Sequence, residues 1–210
     1  MKLEHSAPAG IERASMQIIA AELAQKGIEI PPENRAVVLR AIHASADFDY
    51  ADNLAFTPGA VQAGVAALQK GAAIVTDTNM ALAGLSKPSL AKLGAQAVCY
   101  MADTAVAAEA DRRATTRAAV SMERAMQEHP GAVVAVGNAP TALVRLTELM
   151  QQGARPALVV AVPVGFVNVV ESKERIIEAA AAPYIVARGR KGGSNVAAAI
   201  CNAMLYQITR

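Results

Sequence analysis

The 210-residue chain has no tryptophan, and its aromatic side chains are limited to three phenylalanines and four tyrosines. With a formal net charge of only +2, this leaves neither the stacking platforms nor the basic track that nucleic-acid binders use, so no nucleic-acid partner is expected. Charged residues are also scarce, at 18%, while apolar residues make up 53%. That balance excludes a disordered chain and is enough to bury a real core. No apolar run is long and unbroken enough to span a bilayer, and residues 1–10 hold no stretch of signal-peptide length. The expectation is therefore a cytoplasmic protein with no membrane partner. Cys99 and Cys201 lie far apart among apolar neighbours, without a C-x-x-C pair or a Cys/His cluster. They read as free, buried or half-buried thiols.

What the chain does have is a recurring event. Five short apolar runs each stop at glycine, proline or a hydroxyl, acid or amide residue, and a helix-like stretch follows. The runs are 72–76 before Asp77, 95–101 before Asp103, 132–136 before Gly137-Asn138-Ala139-Pro140-Thr141, 157–162 before Pro163-Val164-Gly165, and 183–187 before the 189–194 turn. Alternation of this kind forces crossover connections and buries both faces of each strand. It predicts an α/β fold with a mostly parallel sheet of five strands or slightly more, flanked by helices. Ligands of such sheets bind outside the carboxyl ends of the strands, so the five breaker segments should line one functional rim.

The first quarter differs, with apolar residues at helical spacing in 11–26, a second helix opened by Pro31-Pro32 and running toward Asp47, and a third opened by Thr57-Pro58 and ended near Gly71. Later helices are expected near 89–93, 116–128, 141–152, 172–181 and 193–208. No linker, charge block or internal repeat divides the chain, and residues 1–210 read as one α/β domain with a helical amino-terminal section.

Of the three histidines, His5 lies near a terminus and His129 precedes Pro130-Gly131, and both read as solvated. His43 has Arg40 three residues before it and Asp47 four after it, which would place all three on one helical stripe. There a carboxylate could orient the imidazole and a guanidinium could hold an anionic ligand beside it. The same spacing suits a structural or surface histidine equally well. No histidine or cysteine stands at ligand spacing from His43, so no metal site is expected.

The glycine-rich segments match no nucleotide fingerprint: 189–195 lacks the order of a Walker A loop, and no G-x-G-x-x-G follows the first strand. They supply backbone N–H groups at helix starts, which favour anions. On this rim Gly137, Gly165 and Gly192, with the cations Arg190 and Lys191, are candidates to hold a ligand bearing several carboxylates. The same glycines serve tight turns and close packing, and spacing does not separate the two. Met80, Leu82 and Phe166 are candidates to cover an apolar ligand face. Glu171-Ser172-Lys173 reads as a helix start or as part of the ligand rim.

Several long runs, in fixed order, resemble the precorrin-8X methylmutase family of corrinoid biosynthesis. They are RAIHASADFDY (40–50), TDTNMALAGLSK (76–87), GNAPTALVRL (137–146), VPVGFVNVVESKE (162–174) and GRKGGSNVAAAICNAMLY (189–206), with Cys99 to Asp103 and Thr116-Arg117 between them. The resemblance extends from about residue 11 to 206. The wording of 46–49, 76–87 and the carboxyl-terminal run is more similar to the branch acting on the cobalt-containing substrate.

The resemblance implies an isomerase that moves a methyl group from C-11 to C-12 of a tetrapyrrole macrocycle, without an external methyl donor or cofactor. It implies His43 as the general acid, Ser15 and Arg40 as substrate contacts, and Arg117 as a further carboxylate contact. It implies a homodimer with its cleft near the subunit boundary, and possible hand-over to neighbouring pathway enzymes. The chain departs from the family at Asn168-Val169-Val170, where Gly-Ala-Ala is usual, and at Ala118, where serine is common. A non-catalytic tetrapyrrole-binding or channelling protein would need a similar pocket, and is the alternative.

Overall fold

A computed structural model describes residues 8–210; His5 lies outside them. In chain order the elements are α1 (Pro8–Gln25), α2 (Pro32–Ser45), α3 (Tyr50–Asn53), β1 (Leu54–Phe56), α4 (Ala60–Gln69), β2 (Ile74–Thr76), α5 (Asn79–Gly84), α6 (Lys87–Leu93), β3 (Ala97–Val98), α7 (Thr104–Arg112), α8 (Arg117–Glu128), β4 (Val133–Val136), α9 (Pro140–Gln151), β5 (Leu158–Ala161), α10 (Val169–Ala179), β6 (Tyr184–Ala187) and α11 (Ser194–Thr209).

The strands form one sheet in the order β1-β6-β5-β4-β2-β3. The five expected from the apolar runs, β2 to β6, are all mutually parallel, so their carboxyl ends share one edge. The sixth strand falls within the expected size of the sheet, but its place in the sequence was not read. Leu54-Ala55-Phe56 pairs antiparallel with β6, in the register Leu54↔Ala187 and Phe56↔Ile185. Three residues are too few to show a pattern in sequence, and the pairing is set by a partner some 130 positions away. β3 is shorter than the run 95–101 that announced it.

The pleat sorts the strand side chains into two cores. Ile74, Val133, Ala135, Leu158, Val160 and Ile185 pack under α1, α2, α4, α5 and α11. Their neighbours Val75, Val134, Val136, Val159, Ala161 and Val186 pack under α7 to α10. This period of two, with both faces covered, is what a parallel sheet requires.

Helix starts follow local chemistry. Thr78, Ser86, Asp103 and Thr116 cap α5, α6, α7 and α8 by accepting backbone N–H bonds. Pro32 opens α2, where its missing N–H costs nothing. α2 closes at Ala46, which adopts the left-handed conformation at φ 55°. A non-glycine residue there is uncommon, so the sequence gives no sign of this stop.

Candidate active site

His43 lies in the last turn of α2, with its imidazole exposed. It shares a hollow of about 230 Å³ with Ser15, Ile18, Ile19 and Glu22 of α1, and with Ala46 and Phe48. The Ser15 hydroxyl donates to the Ile11 carbonyl at 2.9 Å, which leaves its lone pairs open to the hollow. A larger hollow of about 500 Å³ lies at the other end of α2, around Gly27, Pro32 and Arg35. Its wall runs along α2 from Pro32 to Leu39, and His43, one turn beyond Leu39, does not line it.

The expected stripe of Arg40, His43 and Asp47 does not form. Because α2 ends at Ser45 and the chain turns at Ala46, Asp47 leaves the helix before it can sit one turn above His43. Its carboxylate instead pairs with Lys191 at 2.6 Å and accepts the Asp49 N–H at 3.0 Å. These contacts hold the Asp47 carboxyl below its ordinary range, the lysine contact most of all. Arg40 faces a neighbouring hollow of about 320 Å³ with Met16, Ala203 and Tyr206. It donates to Glu12 at 2.6 Å, and its guanidinium lies 4.9 Å from the Tyr206 ring centroid. Arg210 also reaches Glu12, at 2.7 Å.

The carboxyl end of α2 is tied to the rim of the sheet. Lys191 binds Asp47 and also Asp49, at 2.5 Å, so it is neutralised twice within the chain. Asn195 Nδ2 donates to the carbonyl of Ala44, the residue after His43, at 3.3 Å. Arg190, just before Lys191, has no carboxylate partner among the described residues, and its guanidinium lies 5.3 Å from the Phe166 ring centroid. Phe166 is 82% exposed and Met80 72%, apolar surface left uncovered on the rim. Leu82, in contrast, packs against the core.

The glycines split by role. A Cβ on Gly192 would stand 2.1 Å from the Val162 carbonyl oxygen, and one on Gly137 would stand 2.7 Å from the Ser194 Cα. At both, absence of a side chain lets two turns touch. Gly165 instead has φ +147°, and its N–H donates to the Arg190 carbonyl at 3.2 Å. Asn168 has φ 57°, which explains why glycine is usual there.

Some sequence readings change. The N–H groups of Gly137, Asn138 and Ala139, expected to face a ligand, all donate to the buried carboxylate of Asp77, at 2.8, 2.8 and 2.7 Å. Burial pushes the Asp77 carboxyl up from its ordinary value, and the three donors pull it back. Ser172 and Lys173 are buried, not on the rim. Lys173 Nζ donates to the carbonyls of Gly189 and Lys191, both at 2.8 Å, and so brackets Arg190 from below. Desolvation pushes its pKa down to about 8. His129 is not simply solvated, since its Nε2 lies 2.8 Å from the Tyr100 hydroxyl. Ala118 is buried in the second core, packed under the sheet. Sequence gave Asp77 only as a strand terminator; an acid closing an apolar run, followed by a Thr cap, was the available signal.

Arg117 is exposed at the first position of α8, beside Thr116, whose hydroxyl bonds that of Thr141 at 3.0 Å. This places it by the β4–α9 turn, in the helix layer opposite α2. Within one chain, therefore, His43 and Ser15 share a hollow, Arg40 occupies the adjacent one, Gly137, Gly165, Arg190, Lys191 and Gly192 share the rim, and Arg117 stands across the sheet. No cluster of three or more His, Cys, Asp or Glu side chains suited to a metal is present among the described residues. No described helix is long and apolar enough to cross a membrane.

Comparison with known proteins finds relatives over most of the chain. The family profile for precorrin-8X methylmutase matches residues 10–207. The cobalt-precorrin-8 methylmutase of Priestia megaterium is 41% identical over 198 residues, covering 94% of this chain and 87% of that protein. The precorrin-8X methylmutase of Pseudomonas aeruginosa is 41% identical over 196 residues, covering 92% and 93%. The solved structure of precorrin-8X methylmutase from Thermus thermophilus superimposes with a TM-score of 0.86 at 41% identity, over 95% of this chain and 97% of that one. With fold, length and sequence in agreement, the chain belongs to the precorrin-8X methylmutase family, isomerases of cobalamin biosynthesis.

Proposed function

We propose that the chain, acting as one α/β domain, moves a methyl group from C-11 to C-12 of precorrin-8 or its cobalt form, with His43 as general acid. The observation that carries this reading is the placement of His43: an exposed imidazole in a partly apolar hollow beside Ser15, anchored through Ala44 and Asp47 to the rim. A proton delivered to a ring nitrogen next to the migrating centre makes the conjugated system a better acceptor for a suprafacial 1,5 shift. Substrate and product are isomers, so the proton is returned and no donor is consumed. Arg40 and Arg190, with Arg117 from the opposite layer, supply guanidinium groups for the acidic side arms. Phe166 and Met80 supply apolar cover.

At about 230 Å³ the His43 hollow is smaller than ordinary ligand pockets. A macrocycle needs a further wall, and a second copy of the chain supplies it in this reading. Ile11 and Ile18 of α1 are exposed large apolar residues, and Ile18 lines the hollow itself. A cytoplasmic homodimer is the assembly proposed, and sedimentation velocity at micromolar concentration tests it.

The decisive experiment is incubation with precorrin-8X and with cobalt-precorrin-8, following the ultraviolet–visible spectrum. A change in conjugation with first-order dependence on enzyme supports the isomerase. Tight binding of either compound with no spectral conversion leaves a binding or hand-over protein in its place.

A further inference from the structure

Strand order reverses between β2 and β4. From β2 the chain moves outward to β3, then crosses back to β4 on the other side of β2. The loops that diverge at such a point leave the crevice in which open α/β sheets bind their ligands. Here that crevice is filled from within. Asp77 follows β2 directly and is fully buried. Its Oδ1 accepts the Gly137 N–H at 2.8 Å, and its Oδ2 accepts those of Asn138 and Ala139 at 2.8 and 2.7 Å. Three successive N–H groups converging on one carboxylate form an anion nest, and α9 begins one residue later, adding its positive end. Among the described residues no side-chain cation pairs with Asp77; the backbone alone holds it.

The consequences spread along the rim. Gly137, fixed by Asp77, packs so closely on the next turn that a Cβ there would meet Ser194 Cα at 2.7 Å and the Gly193 carbonyl oxygen at 2.9 Å. Thr78, the residue after Asp77, meets the Ser194 hydroxyl at 2.7 Å. Asn195 then reaches the Ala44 carbonyl beside His43. The route from the crevice to the imidazole is thus a short series of direct contacts.

We propose that Asp77 is a positioning residue: its carboxylate takes the place of a ligand anion at the strand-order reversal and sets the β4–α9 and β6–α11 turns against α2. Substrate carboxylates are consequently held elsewhere on the rim, by side-chain guanidinium groups. The claim about binding rests on the methylmutase reading; the claim about the nest does not.

The test uses full-length Asp77→Ala. It leaves three inward N–H groups and a gap suited to formate. Formate is expected to raise the melting temperature of this variant in a concentration-dependent way, beyond sodium chloride at equal ionic strength, with no such difference in the unaltered protein. Affinity for cobyrinic acid, read by spectral titration, is expected to fall about tenfold or more and to recover partly with formate, as for loss of hydrogen bonds to a charged group. Equal action of formate and chloride, or unaltered cobyrinic acid affinity, overturns the proposal. If Asp77→Ala does not fold with or without formate, Asp77→Asn decides: the same loss of affinity with unchanged circular dichroism supports the assignment, and unaltered affinity refutes it. Failure of the methylmutase reading has its own mark, since the unaltered protein would then not bind cobyrinic acid while the formate effect remained.

Discussion

Lys191 Nζ stands 2.6 Å from the carboxylate of Asp47 and so ties the turn after β6 to the chain leaving α2, four positions beyond His43. The pair is partly solvated, so its contribution to stability is small; its effect is on where the end of α2 sits. Lys191→Ala and Asp47→Ala are each expected to lower kcat about ten- to a hundredfold, the scale for displacing a catalytic group by about an ångström. The double variant should lose no more than the worse single. Steady-state kinetics check this, and additive losses would show that the two residues act separately.

His43→Ala is expected to lose about 10²–10⁴ in turnover, the usual contribution of a general acid, while still binding cobyrinic acid. His43 is exposed, so its removal should leave the melting temperature nearly unchanged. A variant that turns over at the original rate would remove the imidazole from the mechanism.

Gly192→Ala should destabilise the fold by about 2–4 kcal/mol, because its Cβ would stand 2.1 Å from the Val162 carbonyl oxygen, which is backbone and cannot swing aside. Gly10→Ala is the contrast. Nothing lies within 4 Å of a Cβ there, the residue is inside α1, and the helix should gain about 0.5–1 kcal/mol. Urea unfolding of both variants measures the difference.

Lys173 gives a pH signature. Desolvation pushes its folded-state pKa down to about 8, from an ordinary 10.5. Between those values the unfolded chain holds a proton that the folded chain has released, so folding is favoured as pH rises, by up to about 1.4 kcal/mol per unit. Below about pH 8 the cost of the buried ammonium is present in full. Compared with Lys173→Met, the unaltered protein should therefore gain stability between pH 8 and 10 in urea titrations. A gain toward low pH would mean that the two carbonyls hold the proton more firmly than burial expels it.

The thiols should react in order. Burial pushes Cys201 up to about 12, and the side chain is fully enclosed. Cys99 is also raised but only half-buried. Iodoacetamide should label Cys99 first and Cys201 only on unfolding, a sequence that peptide mass mapping resolves.

The parallel strands were legible because each is an apolar run with an abrupt breaker, a pattern that depends only on neighbouring residues. β1 was not, since its strand character comes from Tyr184 to Ala187, a remote segment. The short helix α3 was also missed, and the helix-like stretches after 72–76 and 95–101 were not given the bounds of α5 and α7. Asp77 and Asp103 were read as run breakers, although Asp103 and Thr78, the residue after Asp77, are the caps that start α7 and α5. At the site, the link from Asp47 to His43 failed because a left-handed alanine ended α2 without a glycine to announce it. Spacing along a helix predicts neighbours only as far as the helix continues. The availability of backbone donors at 137–139 was equally hidden, because only the fold shows that Asp77 lies opposite them.

The six-stranded sheet ends in β1 at one side and β3 at the other, strands of three and two residues. Unpaired ladder groups at a border are what recruit a foreign strand, and short borders recruit poorly. The valine-rich middle, the stickiest stretch of the molecule, is thus walled in on all sides. Fibrous self-association should therefore wait on global unfolding and not begin from the native state.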